Sequence, residues 1–368
     1  MTRVCHMTSV HPWNDVRIFH KECRSLATQG FEVHLVACAP ESFCRNGVNV
    51  HAVAKAEGGR LARMLVTATR VYRAAKKLNA DIYHFHDPEL IPLGLLLKWS
   101  GKKVVYDVHE DVPRDILSKP WVAPWIRKTL SHVFQSIEDY AARRFSSIVA
   151  ATPHIAKRFA GLNRLTVNVN NYPVDTDFPP QVRDGMSASR KICYVGGIAT
   201  IRGAFEMVRA MEYVDATLIL AGPFQDAVLE RELRALPGWS KVDYRGVVDR
   251  DGVAEIFSES RLGLVMLHPV VNYLDALPVK MFEYMSAGLP VLASNFPFWK
   301  NLLDAAGAGI CVDPLDPRAI AAGINELLDD QEKARVMGEA GRKAVSTTYR
   351  WRYEADKLIG LYDELRKR

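Results

Sequence analysis

The sequence has 368 residues, of which 48% are hydrophobic and 24% charged, as in a globular chain of about two domains. It contains no run of about 18 apolar residues and no apolar leader, so we expect neither a membrane span nor a secretory signal. The six cysteines show no CxxC spacing, which favours reduced thiols in a cytoplasm over disulfides or a zinc site.

Short apolar runs alternate with helical patterns in the first half of the chain. We predict strands at RVCHMTS, FEVHLVA, DIYHFH, KVVYDVH and SSIVAAT, and helices at 17–29, 60–79 and about 122–144. Near-continuous apolar strands separated by helices predict a buried parallel sheet with helices on both faces.

Two segments of this half combine basic with apolar side chains, although the net charge of the chain is only +6. Residues 60–77 hold six basic and no acidic side chains, with apolar residues at helical spacing: Leu61, Met64, Leu65, Ala68, Val71, Tyr72 and Ala75. The stretch KPWVAPWIRK places two tryptophans among three basic residues: Trp121, Trp125, Lys119, Arg127 and Lys128. Such segments are typical of contact with an anionic membrane surface. The alternative is a solvated helix over the sheet, with the tryptophans in the core.

A polar, proline-containing stretch after residue 172 interrupts this pattern, which then restarts. We predict further strands at RKICYVGG, ATLILAG, KVDYRG, RLGLVML, LPVLAS and AGICV, each followed by a helix or turn. The repeated pattern predicts two doubly wound α/β domains, with a ligand bound between them at the carboxyl ends of strands. Long polar helices end the chain, anchored by Trp351, Tyr353, Leu358 and Leu361.

The segment YLDALPVKMFEYMSAGLPVLAS carries unusual charges for a buried helix. The helix is predicted to start at Leu277-Pro278, where its free N–H groups and Lys280 attract an anion such as phosphate. Glu283 lies about one turn further, where a carboxylate accepts hydrogen bonds from the two hydroxyls of a ribose. The alternative is an ordinary amphipathic helix with Lys280 and Glu283 as a surface pair.

An acidic residue, seven intervening residues, a glutamate and then AGLPV resemble the signature of glycosyltransferase family 4. The resemblance covers essentially the whole chain and implies the GT-B fold, with two Rossmann-like doubly wound domains that face each other across a cleft. It implies an acceptor-side domain at 1–172, a nucleotide-sugar-binding domain at 173–348, and a helix at 349–368 that crosses back. In this family Glu283 would bind the ribose, and Asp275, which replaces the usual glutamate, would lie near the donor sugar.

Three further motifs extend the resemblance to the donor site. YVGGIATIRG resembles the family's glycine loop, where Gly196 and Gly197 let the backbone approach a ligand and Arg202 clamps the diphosphate together with Lys280. In VYDVHED, His109 would hydrogen-bond the donor sugar; the alternative is a strand end that caps the next helix. In RGVVDRD, Val247 and Val248 would lie near the base, or else simply end a strand.

Metal binding is the remaining question that the motifs raise. HFHDPEL offers His84, His86, Asp87 and Glu89 at a strand end, but no second ligand cluster has supporting spacing. The triplets DTD and DRD fall where aspartate serves as a turn or cap residue. We therefore expect no metal and give HFHDPEL a structural or acceptor-side role.

The resemblance implies transfer of a sugar from a nucleotide diphosphate sugar, UDP-linked or else GDP-linked, to an acceptor hydroxyl with retention of configuration. The catalytic residues would be His109, Asp275, Arg202 and Lys280, and no cofactor is required. We expect a glycan or lipid-linked acceptor, in cell-surface glycan assembly, and a cytoplasmic protein peripheral to the inner face of the plasma membrane. No RNP, KH or helix-turn-helix signature indicates nucleic acid. A sugar-nucleotide epimerase of the same fold and a non-catalytic nucleotide-binding protein remain the alternatives.

Overall fold

The computed structural model describes residues 1–58, 60–118, 122–174 and 190–368, and only the backbone of residues 60–63. Within these ranges the chain forms two compact units, Met1–Asn171 with Trp351–Arg368 and Tyr172–Arg350. Each unit is a sheet with helices packed against it, so the predicted α/β class is confirmed.

The sheet of the first unit has the strand order β3-β4-β2-β1-β5-β6-β7-β8. Its strands are β1 Arg3–Pro12, β2 Glu32–Cys38, β3 Phe43–Arg45, β4 Val48–Val53, β5 Ile82–Phe85, β6 Lys103–Val108, β7 Ser147–Ala150 and β8 Thr166–Asn168. All pair in parallel except β3, which runs antiparallel to β4 at one edge of the sheet. Asn46 and Gly47 join β3 to β4, and both have positive φ, as a two-residue type I′ hairpin requires.

Helices of the first unit follow the predicted pattern with two differences. They are a π-helix Val16–Cys23, α1 Arg24–Thr28, α2 Arg60–Lys77, a 3₁₀ turn Pro88–Leu90, α3 Ile91–Trp99, α4 Val112–Ser118, α5 Pro124–Ala142 and α6 Pro153–Ala160. The regular helix predicted at 17–29 is therefore a π-helix in its first part, begun by Asp15, whose carboxylate accepts hydrogen bonds from two backbone N–H groups. Leu65 of α2 belongs to the predicted apolar series but is 71% exposed.

The final helix, Trp351–Lys367 (α15), belongs to the first unit. Trp351, Leu358 and Leu361 are buried as predicted. Tyr353 is 44% exposed, so its role as an anchor was wrong. Tyr362, one turn after Leu358, is buried instead, because residues four apart share one helix face.

The sheet of the second unit is entirely parallel, with the strand order β11-β10-β9-β12-β13-β14. Its strands are β9 Lys191–Val195, β10 Thr217–Ala221, β11 Val242–Gly246, β12 Gly263–Val265, β13 Val291–Ser294 and β14 Gly309–Val312. From β9 the chain adds strands on one side as far as β11, and then on the other side from β12. The boundary between β9 and β12 is therefore the switch point where α/β sheets bind ligands.

Helices cover this second sheet. They are 3₁₀ turns at Thr200–Arg202, Met211–Tyr213 and Pro237–Lys241, and α7 Ala204–Ala210, α8 Ala227–Arg234, α9 Arg250–Glu259, α10 Val271–Leu274, α11 Val279–Ser286, α12 Pro297–Ala306, α13 Pro317–Asp329 and α14 Gln331–Thr347. The helix predicted in YLDALPVKMFEYMSAG is α11. Pro278 is the residue just before its first turn, not within it, and Phe282 and Met285 face the core.

Candidate active site

A glycine loop follows β9 at the switch point of the second sheet. Gly196 has φ 134°, a conformation that other residues rarely adopt, and a Cβ there would lie 2.9 Å from Nζ of Lys280. Its carbonyl oxygen is so close to Gly222 that a Cβ on Gly222 would lie 2.1 Å away. Side chains at Gly196 and Gly197 would fill the space in front of Lys280 and Arg202. The role predicted for these two glycines therefore has a steric basis.

Lys280 and Arg202 both approach this loop. Nζ of Lys280 lies 3.6 Å from the ring centre of Tyr194 and has no hydrogen-bond partner among the described residues. Burial and the neighbouring Arg202 guanidinium lower the pKa of the Lys280 amine to about 7. Arg202 donates to the carbonyl oxygen of Gly197 at 3.4 Å, and the same oxygen accepts from the Tyr194 hydroxyl at 2.8 Å.

The side chains of Lys280 and Arg202 are neighbouring cations, and the Lys280 amine has no hydrogen-bond partner among the described residues. Two like charges close together raise each other's electrostatic energy, and a buried amine without a partner loses its hydration. An anion between Lys280 and Arg202 would remove both costs and restore the ammonium form of Lys280. Glycine loops and helix starts suit phosphate groups, so the arrangement is chemically suited to a diphosphate.

Glu283 lies on the next turn of α11, and its carboxylate accepts from Nη1 of Arg250 at 2.8 Å. Glu283 does not pair with Lys280. The alternative interpretation, an ordinary surface helix, requires such a pair. Arg250 is half exposed, and its salt bridge is at the surface, where such pairs contribute little to stability. Hydroxyl groups of a ligand can therefore replace Arg250 at small cost.

The other predicted donor-site residues lie in the segments that follow β11 and β12. Val247 and Val248 come directly after β11; Val247 is 75% exposed, whereas Val248 packs against the core. Asp275 ends the short helix α10. Leu277, just before α11, packs partly against the core beside the already described Pro278. Apart from His109, the donor-site residues predicted from the motifs therefore lie on the second unit.

His109 lies on the first unit, directly after β6. Its Nε2 is 2.8 Å from Oδ2 of Asp107, and its ring centre is 5.2 Å from that of His11, at the end of β1. His11 lies between two carboxylates, with Nδ1 3.3 Å from Asp15 and Nε2 3.6 Å from Asp87. Although burial opposes it, these carboxylates raise the pKa of His11. His11 is a residue of this face that the motif analysis missed.

Asp107 is the centre of a buried charge network that the sequence did not reveal. Arg17 donates to Asp107 from Nε at 3.0 Å and from Nη2 at 2.8 Å, and its Nε is also 3.0 Å from Glu22. Arg17 comes from the π-helix, so the irregular helix is what brings its guanidinium to the strand end. The aspartate of a buried strand, in VYDVHED, was the available signal.

The same network contains four side chains of the types that bind metal ions. Donor atoms of Glu22, His84, His86 and Asp107 lie within 4.8 Å of one another. Asp107 already accepts from Arg17, and Nδ1 of His86 is 3.1 Å from Asp107. Of these four residues, only Glu22 and His84, at Nε2, have side-chain atoms without a hydrogen-bond partner among the described residues. Arg17 places a positive charge beside both Glu22 and Asp107. These four residues therefore suit a salt-bridged network better than a cation site.

Asp249 of the DRD triplet caps α9 by accepting from the backbone N–H of Gly252 at 3.0 Å, as predicted for a cap residue. Lys119, Trp121 and the DTD triplet lie outside the described residues. In the described part of the chain, no helix combines the length and apolar character that a membrane crossing requires.

Comparisons with known proteins agree with this architecture. The family model "Glycosyltransferase Family 4" matches residues 16–178, and "Glycosyl transferases group 1" matches residues 185–344. A Mycobacterium tuberculosis GDP-mannose-dependent alpha-(1-6)-phosphatidylinositol monomannoside mannosyltransferase is 33% identical over 23% of this chain and 22% of its own. The chain spans about half or less of the length of the first curated relatives that it matches.

Two solved structures show the same fold over nearly the whole chain. Sucrose-phosphate synthase from Thermosynechococcus elongatus superposes with a TM-score of 0.82 at 16% identity, covering 99% of both chains. Anabaena HepE in complex with UDP-glucose superposes with a TM-score of 0.73 at 14% identity, covering 99% of this chain and 100% of its own. Likeness at this level of identity concerns the fold, which is the GT-B arrangement of two Rossmann-like domains.

Proposed function

The chain belongs to the family 4 glycosyltransferases of the GT-B fold, and from this premise we propose that it transfers a sugar from a nucleotide diphosphate sugar to an acceptor hydroxyl. The single observation that carries the proposal is the pair of cations at the glycine loop. Lys280 and Arg202 converge on Gly196 and Gly197 at the switch point, and the amine of Lys280 has no partner among the described residues.

The proposed chemistry places charge stabilisation at the diphosphate. As the bond from the sugar's anomeric carbon to the diphosphate oxygen breaks, its electron pair stays on that oxygen, and a bond to the acceptor oxygen forms. Lys280 and Arg202 neutralise the negative charge that develops there, usually the largest contribution to such catalysis. With retention of configuration, as in the family, the leaving phosphate accepts the proton of the acceptor hydroxyl.

The remaining residues bind parts of the donor in this proposal. Glu283 exchanges Arg250 for the ribose hydroxyls, and Val247 and Val248 lie against the base. His109 and Asp275 hydrogen-bond the sugar. The donor is a UDP-sugar or GDP-sugar, because HepE binds UDP-glucose and the mycobacterial relative is named for GDP-mannose.

Nucleotide binding tests this function. We expect calorimetry to detect one of UDP, GDP and ADP with the wild type, and Glu283→Gln to weaken that affinity by about 10- to 100-fold, because a charged hydrogen-bond acceptor is worth about 1.5–3 kcal/mol. Glu230→Gln is the matched control, since Glu230 also pairs with an arginine, Arg234, at the surface of the same unit. Equal affinity in the wild type and Glu283→Gln would remove the ribose assignment, and a wild type that binds none of the three would contradict the function.

We further propose that the protein is cytoplasmic and works at the inner face of the plasma membrane on a lipid-linked or glycan acceptor. The exposed face of α5 supports this proposal. It carries Trp125, 83% exposed, four further exposed apolar side chains and one basic one, and two exposed arginines directly follow the helix: Leu130, Val133, Ile137, Tyr140, Lys128, Arg143 and Arg144. The acidic residues of α5 are both turned away, Glu138 being buried and Asp139 bound to Arg158. An apolar face bordered by basic residues suits an anionic bilayer surface.

Vesicle co-sedimentation tests this contact. The wild type should bind vesicles of mixed phosphatidylglycerol and phosphatidylcholine and bind phosphatidylcholine vesicles weakly. Ile137→Glu should lower binding to the anionic vesicles by about tenfold, because it places a carboxylate in the apolar face. Val336→Glu is the matched control, since Val336 is a half-exposed valine on the second unit. Binding that does not depend on anionic lipid, or that Ile137→Glu leaves unchanged, would refute the proposal.

A further inference from the structure

We propose that Asp107 is a positioning residue that fixes His109 in one tautomer. In this tautomer the proton on Nε2 is directed at Asp107, and the lone pair on Nδ1 is presented on the opposite side of the ring. His109 then acts as a hydrogen-bond acceptor toward its ligand. The inference concerns the state of His109 in the free protein, and its consequence for the donor sugar rests on the proposed function.

The geometry around Asp107 favours one arrangement of protons. Asp107 is completely buried, and its two oxygens are held by the forked guanidinium of Arg17. Oδ2 also lies 2.8 Å from Nε2 of His109 and 3.1 Å from Nδ1 of His86. Burial alone would raise the pKa of Asp107, but Arg17 and the histidines lower it well below its usual range. An ionised carboxylate can only accept hydrogen bonds, so both histidine nitrogens must carry protons.

The contact between the two histidines admits another arrangement, which the distances disfavour. Nδ1 of His86 is 3.2 Å from Nε2 of His109, and in this second arrangement His86 donates to His109. Nε2 of His109 would then direct its lone pair at Oδ2 of Asp107 across 2.8 Å, and two acceptors would repel each other. The shortest of the three contacts among Asp107, His86 and His109 therefore assigns the proton to Nε2 of His109.

The hydrogen bonds continue in one direction away from the site. With its proton on Nδ1, His86 accepts at Nε2 from Nδ1 of His6, 3.0 Å away. His6 then has its lone pair on Nε2, which lies 3.4 Å from the hydroxyl of Tyr362 on α15. Tyr362 is also 2.7 Å from Nδ1 of His84. The tautomer of His109 is thus supported by a buried chain of groups that reaches the final helix.

An acceptor at this position has a consequence for specificity. If His109 contacts the donor sugar as proposed, it receives a hydrogen bond from a sugar hydroxyl. A donor that lacks that hydroxyl leaves the Nδ1 lone pair without a partner, and sites built to pair a hydroxyl discriminate strongly against analogues without it. The fixed tautomer therefore selects for a hydroxyl group at one position of the sugar.

Nuclear magnetic resonance of the histidine side chains tests the inference on the protein itself, without substrate. Long-range ¹H–¹⁵N spectra of ¹⁵N-histidine-labelled full-length protein distinguish the two neutral tautomers, and the signals lost in His109→Gln identify those of His109. We expect the tautomer with the proton on Nε2. A proton on Nδ1, or exchange between both tautomers, would overturn the proposal without reference to any ligand.

Asp107→Asn then tests the cause. Arg17 donates to the remaining amide oxygen, which turns the amide NH₂ toward His109, and we expect His109 to change to the tautomer with the proton on Nδ1. Asp81→Asn, a surface substitution on the same unit, should leave the His109 signals unchanged. An unchanged tautomer in folded Asp107→Asn overturns the positioning role, and if that variant does not fold, the wild-type spectrum still decides. A changed tautomer with unchanged nucleotide-sugar affinity would support the inference and exclude His109 from the proposed donor site.

Discussion

Replacing Arg202 with alanine is expected to lower the affinity for a nucleoside diphosphate by about a hundredfold and to leave the affinity for the nucleoside unchanged. Charge-assisted hydrogen bonds from a guanidinium to phosphate are among the strongest in proteins, and two of them contribute about 3 kcal/mol. Arg202 lies at the end of a 3₁₀ turn, immediately before Gly203, whose φ of 70° and close approach to the Met266 carbonyl oxygen fix the turn. The clamp is therefore held in place before a ligand binds.

Calorimetry with UDP and uridine, or the corresponding pair for another base, measures this difference directly. Arg209→Ala is the control, because Arg209 is an exposed arginine on the following helix, α7. Part of the loss will be offset by Lys280, since removing the neighbouring guanidinium favours the charged form of its amine. If both ligands lose affinity equally, Arg202 does not bind the phosphates.

The largest effect on folding is expected from Arg17→Met, which should lower the free energy of unfolding by about 3–5 kcal/mol. The substitution keeps much of the side-chain volume but removes the cation between Asp107 and Glu22, all of them buried. A buried acidic side chain that loses its cation is costly, and here Asp107 and Glu22 would lose the same cation.

Urea unfolding followed by circular dichroism measures this loss, with Arg143→Met as a control on an exposed arginine of the same unit. The first unit should unfold at lower urea concentration in Arg17→Met, whereas Arg143→Met should match the wild type. A shift of less than about 1 kcal/mol would mean that the ion pairs do not stabilise the unit, as is common for exposed pairs.

Local patterns were sufficient for most of the fold. Apolar runs at regular spacing located eleven of the strands, because buried parallel strands are apolar along their whole length. The strands β3, β4 and β8 escaped this criterion, since they lie toward the sheet edges and are more polar. The hairpin between β3 and β4 was nevertheless readable from RNGV, where Asn46-Gly47 is a strong turn signal.

The candidate site also has parts that the sequence predicts and parts that it does not. Gly196, Lys280 and Glu283 each lie within a recognisable motif, so the sequence could name them. Their relation to Tyr194 and Arg250 could not be read, because it depends on side-chain direction in the folded unit. The buried charge network around Asp107 on the first unit is even harder to predict from the sequence. Arg17 and Asp107 are 90 residues apart in sequence, and a π-helix is needed to bring them together.

The membership of the final helix in the first unit has a consequence for the order of folding during synthesis. All residues of the second unit, Tyr172–Arg350, are synthesised before α15. The first unit must wait for Glu354, which accepts from the backbone N–H of Asn170 at 2.8 Å, and for Tyr362, which contacts His84. The earlier-synthesised half therefore completes its core last, and until then its buried histidines lack the residues that enclose them.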